Sequence, residues 1–585
     1  MNNFNYIKLK IDGKNILNEK YLSYEERKAL DKGDAIYIYR SSSKGKFYVG
    51  QTVRFINRHK QHYNGNEEKF NKNNFDEVVV FYSKYFNLSS LNDVEAQLIN
   101  YLFSDTDKKD KVAYEDDAVT NLTLGNHVND YKDKEEVSNI IIEIWGKVLF
   151  EELHWVNTPV LEQLRNNALF KYSPIRSLTD QQSQIISEIL NNSKESFVIN
   201  GDAGTGKTVL LTHIAASLLD QTNKKIAVVV QPNWEKTARK IFKVYDFNNK
   251  NLTITTATSL LNKFKDKNSI NENDKYDVVI IDESHKLSRY HTKQHPSFNK
   301  VYENLFENCD NHLECIKLIS KQLILMYDVF QAIRPANIAR RQFENLTKEF
   351  NKKKLNTQFR IDVSKSKEYT SDDYINGIKY LLYKDSKLQD KVTSEFNRNI
   401  FKDSSIDAYF GYFEEKPLKN MIEWLNRDQN FNPTHINRVL AGLFEKWKQE
   451  DGKHPEIKHF IEGDIERRWN STQENWINSK DEDASEQIGS VFAVQGIDLN
   501  KVGVLLGKDL QVDSHGHLYA EKEHFHNVNG KYNKDEENEF TASEFTLHVL
   551  NIYYVLLTRG IDGIRIGFWH NEELKDYVKK TLEIE

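Results

Sequence analysis

One run of eight residues, Gly201-Asp-Ala-Gly-Thr-Gly206-Lys207-Thr208, constrains this chain more than any other. It follows the apolar stretch Phe197-Val-Ile-Asn and precedes the apolar stretch Val209–Leu219. Strand, glycine-rich turn and helix in that order match GxxxxGK[ST], in which backbone N–H groups and a helix N-terminus converge on nucleotide phosphates. The pattern assigns Gly201, Gly204 and Gly206 to the turn. It assigns Lys207 to the β- and γ-phosphates and Thr208 to Mg²⁺. A second apolar strand, Tyr276-Asp-Val-Val-Ile-Ile, ends in Asp282-Glu283-Ser-His285. Paired carboxylates at a strand end suit phosphoryl transfer, with Asp282 on the metal and Glu283 polarising the attacking water.

The rest of the chain fits around that site. Its 585 residues are too many for one core. From Leu178 onward, apolar strands at Ser196–Asn200, Lys225–Val230, Thr253–Thr255, Asp277–Ile281 and Leu323–Tyr327 alternate with helical stretches. Continuous apolar strands of this kind predict a parallel sheet covered on both faces. A polar, Trp-containing stretch interrupts the pattern, which returns at Ser490–Phe492, Gly503–Leu506 and Ile564–Phe568. The expected class is α/β. A small α+β unit (1–130) and a packed helical connector (131–175) precede a first lobe (176–355) and a second lobe (356–585) with an insertion at about 361–480.

Charge and cysteine content narrow the classes of partner. A net charge of −6 excludes a uniformly basic coat, but eight basic residues between Ile36 and Lys72 face only Glu67 and Glu68. Only a groove need be positive to hold nucleic acid. Cys309 and Cys315 form no CxxC pair, so no zinc site or disulfide framework is indicated. No apolar run reaches the about 18 residues of a membrane span, and the expectation is a cytoplasmic chain with no membrane partner.

Several later segments single out a motor among phosphate-loop proteins. Leu178-Thr-Asp-Gln-Gln182 precedes the loop, and Tyr327-Asp328-Val-Phe-Gln331 ends a strand. Leu355-Asn-Thr-Gln358-Phe-Arg360, Val494-Gln495-Gly496 and Leu557-Thr558-Arg559-Gly560 follow in order. Order and spacing resemble superfamily 1 helicases, and over about 175–575 the segments look closest to the Schlafen-type helicase-like ATPases of bacteria. The resemblance implies two RecA-like lobes with ATP and Mg²⁺ between them. It also implies adenine reading by Gln182, γ-phosphate sensing by Gln331, and arginine fingers at Arg360 and Arg559. Such fingers contribute about 10³–10⁵ in rate. Helicases of this type often carry a basic residue just before the Val-Leu-Leu-Thr-Arg-Gly run, where this chain has Tyr554.

A different chemistry is written near the N-terminus. Ala35-Ile36-Tyr37 and Tyr48-Val49-Gly50 lie on paired strands of a hairpin, and Arg58 and His62 share one face of the next helix. Glu95 sits on a later helix, and Asn121 follows. Across about 34–127 this set resembles the GIY-YIG endonucleases, with Ala35 and Val49 departing from the motif. The resemblance implies one Mg²⁺ or Mn²⁺ held by Glu95, a water activated by Tyr37 or Tyr48, and a phosphate steadied by Arg58. His62 would assist by proton transfer or hydrogen bonding.

Taken together, these readings predict an ATP-dependent nuclease-helicase that acts on nucleic acid, DNA rather than RNA, in defence against phage. An RNA-directed nuclease and a non-cutting ATP-gated sensor are the competing expectations. The Trp-containing stretch is read as core, and the His-rich segment around His515, His517, His524 and His526 as an exposed loop.

Overall fold

Period-two alternation builds the first sheet. Strands β1 (Asn5–Lys10), β2 (Ala35–Ser41), β3 (Lys46–Thr52) and β4 (Glu77–Tyr82) are ordered β1-β4-β2-β3, all antiparallel. Ile36, Ile38, Val49, Val79 and Phe81 face one side. Tyr37, Tyr39, Tyr48, Val78 and Val80 face the other, under the helix Phe55–Asn64. The computed structural model describes residues 3–584 except 65–69, 71–72, 107–130, 162–163, 165–171, 174–177, 222, 233, 245–249, 265–266, 268, 290–305, 307, 434, 471–475, 477–482, 495–496, 528–529 and 532–538. Asn121, Gln495 and Gly496 therefore lie outside the described residues.

The connector is a packed element. An α-helix, Lys134–Glu143, runs directly into a π-helix, Ile144–Glu152, with Ile140, Ile141, Ile144, Trp145, Val148 and Leu149 buried. These residues share one core with the helix Leu88–Thr106 and with Ile241 of the helix Glu235–Val244. Two hydrogen bonds lock the join: the Asp105 carboxylate accepts from the backbone N–H groups of Asn157 and Thr158 at 2.7 and 2.8 Å.

The first lobe carries six parallel strands. These are β5 (Phe197–Gly201), β6 (Ile226–Val229), β7 (Leu252–Thr255), β8 (Tyr276–Ile281), β9 (Ser320–Tyr327) and β10 (Asn351–Leu355), ordered β10-β5-β9-β8-β6-β7. Their apolar side chains fill cores on both faces, as continuous apolar runs require. β10 escaped sequence reading because its three lysines have no apolar pattern. As an edge strand it needs none, and Lys352 and Lys354 point into solvent.

The second lobe has four parallel strands. They are β11 (Phe410–Phe413), β12 (Arg438–Ala441), β15 (Leu499–Leu506) and β18 (Gly560–Phe568), ordered β11-β18-β15-β12. Two hairpins project from it, β13–β14 (Phe460–Glu462, Ile465–Arg467) and β16–β17 (Leu510–Val512, Leu518–Ala520). The stretch at 361–480 is thus no simple insertion, because β11 and β12 belong to the lobe's own sheet. Trp469 and Trp476 are core residues, as expected. The strand expected at Ser490–Phe492 is instead one helical turn, Val491–Val494. Its first backbone groups are taken up by the Ser490 hydroxyl, which accepts from Phe492 N. Among the described residues no helix is long and apolar enough to cross a membrane.

Candidate functional site

Backbone geometry sets the phosphate loop. Gly204 and Gly206 have φ of +84° and +79°, a region other residues rarely adopt. The Lys207 ammonium donates to the carbonyls of Gly201 and Asp202 at 2.6 and 3.0 Å and lies 3.4 Å from Asp328 Oδ2. The Gln331 amide donates to that same oxygen at 2.6 Å. Lys207, Asp328 and Gln331 therefore form one buried chain.

Behind β8 the carboxylates are differentiated. The Thr208 hydroxyl donates to Asp282 Oδ2 at 3.2 Å, a hydroxyl–carboxylate pair suited to Mg²⁺ beside a nucleotide. Burial and the neighbouring Glu283 push Asp282 up to about 7. Burial pushes Glu283 the same way, but Lys286 and His285 outweigh it and hold Glu283 well below the usual carboxylate range. Its ammonium and imidazole neighbours lie 3.3 and 2.8 Å away, the latter without hydrogen-bond alignment. Glu283 adopts φ +50°, a left-handed conformation costing about 1–3 kcal/mol that is typical of functional sites. The two adjacent carboxylates thus differ in proton affinity because their charged neighbours differ.

The expected arginines are brought to this place. Arg360 donates to Asp498 Oδ1 at 2.6 Å and to the Thr558 carbonyl at 3.3 Å. Arg559 is 2% exposed, and its Nη1 donates to the Ile497 carbonyl at 3.4 Å. Among the described residues its Nε has no hydrogen-bond partner. Burial and the like charge of Arg360 bring Arg559 down to about 10, while Asp498 and Glu283 oppose that shift. The buried Arg559 guanidinium thus lies within electrostatic reach of Glu283, with the partly buried Arg360 beside it, in surroundings where an extra anion interacts strongly.

The segment carrying Arg360 also clasps the loop. Gln358 donates to the Ala203 carbonyl at 2.6 Å, and Phe359 N donates to the Gly204 carbonyl at 3.0 Å. A side chain at Gly204 would strike Gln358, which explains that glycine independently of its φ. Gln182 is bound twice: its carbonyl accepts from Thr179 N at 3.0 Å, and its amide donates to the Thr205 carbonyl at 3.4 Å.

Sequence reading missed three residues here. The Phe359 ring is 51% exposed and lies beside Gly206. The Asn551 amide donates to the carbonyls of Val329 and Ala332 at 3.1 and 2.7 Å, gripping the strand-end segment of Gln331 from the second lobe. An Asn in an otherwise apolar stretch of the helix Glu539–Leu557 was the available signal. Asp498 had none.

The N-terminal unit brings together Tyr37, Tyr48, Arg58, His62 and Glu95. Tyr37 pairs with Gly50 across the hairpin, and its ring fills the space a side chain there would need. Its hydroxyl lies 2.9 Å from Nε2 of His62, which is fully buried rather than on the surface. The Tyr37 and Tyr48 rings stack at 6.2 Å. Burial pushes the Tyr37 hydroxyl well above its ordinary pKa, against the pull of Arg58. Glu95 accepts from Gln51 at 2.9 Å. Burial pushes it up to about 7, against Gln51 and the same Arg58. A parallel pair was not foreseen: the Tyr39 hydroxyl lies 2.7 Å from His59 Nδ1, with His59 Nε2 at 3.0 Å from the Asn15 carbonyl.

Among the described residues no three His, Cys, Asp or Glu side chains form a metal cage. The nuclease site instead offers the carboxylate of Glu95, and the phosphate site that of Asp282 beside the Thr208 hydroxyl, arrangements in which substrate oxygens and water complete the shell of a hard cation. The raised value of Glu95 has a consequence for stability. Ionising it costs the folded state more than the unfolded one, so the penalty is absent near pH 4, grows with pH and is complete above about 7. Glu95→Gln is expected to stabilise the protein by about 1–3 kcal/mol at pH 8 and by far less at pH 4.5. Melting temperatures at the two pH values test this, and equal shifts would contradict it.

Comparison with known proteins gives three kinds of match. An uncharacterized protein of Saccharomyces cerevisiae, YPL245W, is 24% identical over 420 residues, covering 65% of this chain and 83% of that one. The Pif1 helicase from Candida albicans is 14% identical with a TM-score of 0.28, covering 70% of this chain and 98% of that one. S. cerevisiae Dbp5 bound to RNA and ADP BeF3 is 14% identical with a TM-score of 0.30, covering 74% and 94%. Family models match at residues 194–570, the Schlafen group 3 DNA/RNA helicase domain, and at 34–106, the GIY-YIG catalytic domain. With the first of these spanning well over half its length, the chain belongs to the Schlafen group 3 DNA/RNA helicase family and, with its GIY-YIG domain, is an ATP-hydrolysing helicase and endonuclease.

Proposed function

We propose that this chain uses ATP hydrolysis to translocate along nucleic acid, DNA in preference to RNA, and cuts phosphodiester bonds with its N-terminal domain in defence against phage. The observation carrying the motor half is a pair of neighbouring arginines, the buried Arg559 within reach of Glu283 and Arg360 against Gly204 of the phosphate loop, with Arg559 Nε unpartnered among the described residues. A γ-phosphate is the anion that such a pair fits. In this reading Lys207 and the loop glycines, Gly201, Gly204 and Gly206, hold the phosphates. Thr208 and Asp282 hold Mg²⁺, which would neutralise charge on the β- and γ-phosphates. Glu283 takes the proton of the attacking water. Gln331 senses the γ-phosphate through Asp328, and Asn551 passes that to the second lobe.

Gln182 and Phe359 then define the base subsite. The exposed Phe359 ring is placed to stack on adenine beside Gln182. Base–aromatic stacking contributes about 1–3 kcal/mol. Phe359→Ala is therefore expected to raise the KM for ATP about 5- to 100-fold with kcat nearly unchanged, measured by steady-state hydrolysis.

In the nuclease, Glu95 holds Mg²⁺ or Mn²⁺, which would lower the pKa of a bound water. Arg58 steadies the phosphate. Tyr37 takes the water's proton and relays it to His62, which explains how a hydroxyl of high pKa serves as a base. Tyr48 stacks on Tyr37 and holds it in place. The basic balance of Ile36–Lys72 supports a polyanionic substrate.

Cleavage of matched DNA and RNA forks with and without ATP tests the proposal. Preferential DNA cutting, lost in Glu95→Ala and reduced with ATP in Lys207→Ala, is the expected result. Preferential, Glu95-dependent cutting of RNA would overturn the choice of DNA.

A further inference from the structure

A lysine from the second lobe reaches the phosphate loop. Lys379 lies on the helix Ser371–Tyr383 and is 7% exposed. Its ammonium is 2.5 Å from Asp202 Oδ2, in the second position of the loop. It also sits 4.7 Å from the centre of the Phe330 ring. Phe330 lies between Asp328, which pairs with Lys207, and Gln331. One side chain thus touches both the phosphate loop and the Asp328–Gln331 segment of the first lobe from an element of the second.

Neighbouring contacts favour a working role over packing alone. Three successive loop residues are clasped: Asp202 by Lys379 of the second lobe, and Ala203 and Gly204 by Gln358 and Phe359 of the segment that follows β10. Tyr554 packs its ring against Phe330 and Tyr383. Among the described residues its buried hydroxyl has no partner. Tyr554 and the Lys379 ammonium thus both pack against the Phe330 ring. A nearly buried lysine is costly unless paired, and here its pair is the loop itself.

We propose that Lys379 is a positioning residue for ATP turnover: its ammonium, anchored on Asp202 and Phe330, ties the phosphate loop and the Asp328–Gln331 segment to the second lobe. Lobe closure then aligns loop, sensor and arginines together. The proposal rests on the motor reading given above. Arginine preserves the charge and alanine does not, so the two substitutions separate the electrostatic tie from packing.

Steady-state ATP hydrolysis on single-stranded DNA tests it. The proteins compared are wild type, Lys379→Ala, Lys379→Arg, Asp202→Asn and the double variant Lys379→Met/Asp202→Asn, a neutral pair that keeps the volume. The proposal expects kcat to fall about tenfold or more in Lys379→Ala and Asp202→Asn, with KM for ATP changed less than about threefold. Lys379→Arg should recover most of the rate, and the double variant should lose no more than either single one. Unchanged kcat in both single variants, multiplicative losses in the double variant, or failure of arginine to rescue would overturn it. If Lys379→Ala does not fold, Asp202→Asn and the double variant decide alone. Absence of turnover in wild type would instead strike the motor reading itself.

Discussion

Arg559→Ala is expected to lower ATP turnover about 10³-fold or more while leaving nucleotide binding almost intact. The side chain is 2% exposed and, among the described residues, held by one backbone carbonyl through Nη1. Its own charge is disfavoured there by burial and by Arg360, yet Asp498 and Glu283 keep it cationic. Negative charge developing on a transferring phosphoryl group would relieve this repulsion in the transition state, more than in the bound ground state. An interaction of that kind appears in kcat and hardly in KM. Lysine at this position delivers charge without the planar fork, so Arg559→Lys should recover only a small part of the rate. Single-turnover hydrolysis with a separate nucleotide-binding titration measures both quantities. A rate within tenfold of wild type would remove Arg559 from the reaction.

Glu95→Ala should abolish DNA cutting, by about 10³-fold, and leave ATP hydrolysis untouched. Glu95 is the carboxylate that Arg58 reaches together with Tyr37, and no further carboxylate forms a metal cage with it among the described residues. Without it the hard cation has no anionic protein anchor, and activation of water is lost. In the proposed reading the ATP site is assembled from the first and second lobes, so nothing in its chemistry depends on Glu95. A shared core nevertheless joins the two units through the connector and Ile241. The variant therefore needs its melting curve measured alongside. Residual cutting above a few per cent of wild type would assign the metal to another residue.

Contiguous chemistry was legible in the chain, and distant chemistry was not. The loop from Gly201 to Thr208 encodes turn, charge and hydroxyl in one run, so its site followed from spacing alone. Tyr37, Arg58 and His62 were legible because a hairpin and one helical turn place them together. Asp498 pairs with Arg360 across 138 positions, Lys379 with Asp202 across 177, and Asn551 with Val329 across 222. No local pattern marks such pairs, since their partners are chosen by packing of the lobes. β10 was missed for a related reason: an edge strand of lysines satisfies its backbone through β5 and leaves Lys352 and Lys354 exposed. The helical turn at Val491–Val494 shows the opposite failure, an apolar run that turns helical after a serine whose hydroxyl accepts from Phe492 N.

Turnover of ATP by the purified chain, with and without single-stranded DNA and beside Lys207→Ala, tests most directly whether nucleotide chemistry in the cleft drives this protein. Hydrolysis that rises with DNA and vanishes in Lys207→Ala is the predicted outcome. No hydrolysis with any DNA or RNA, or an unimpaired Lys207→Ala, would contradict it.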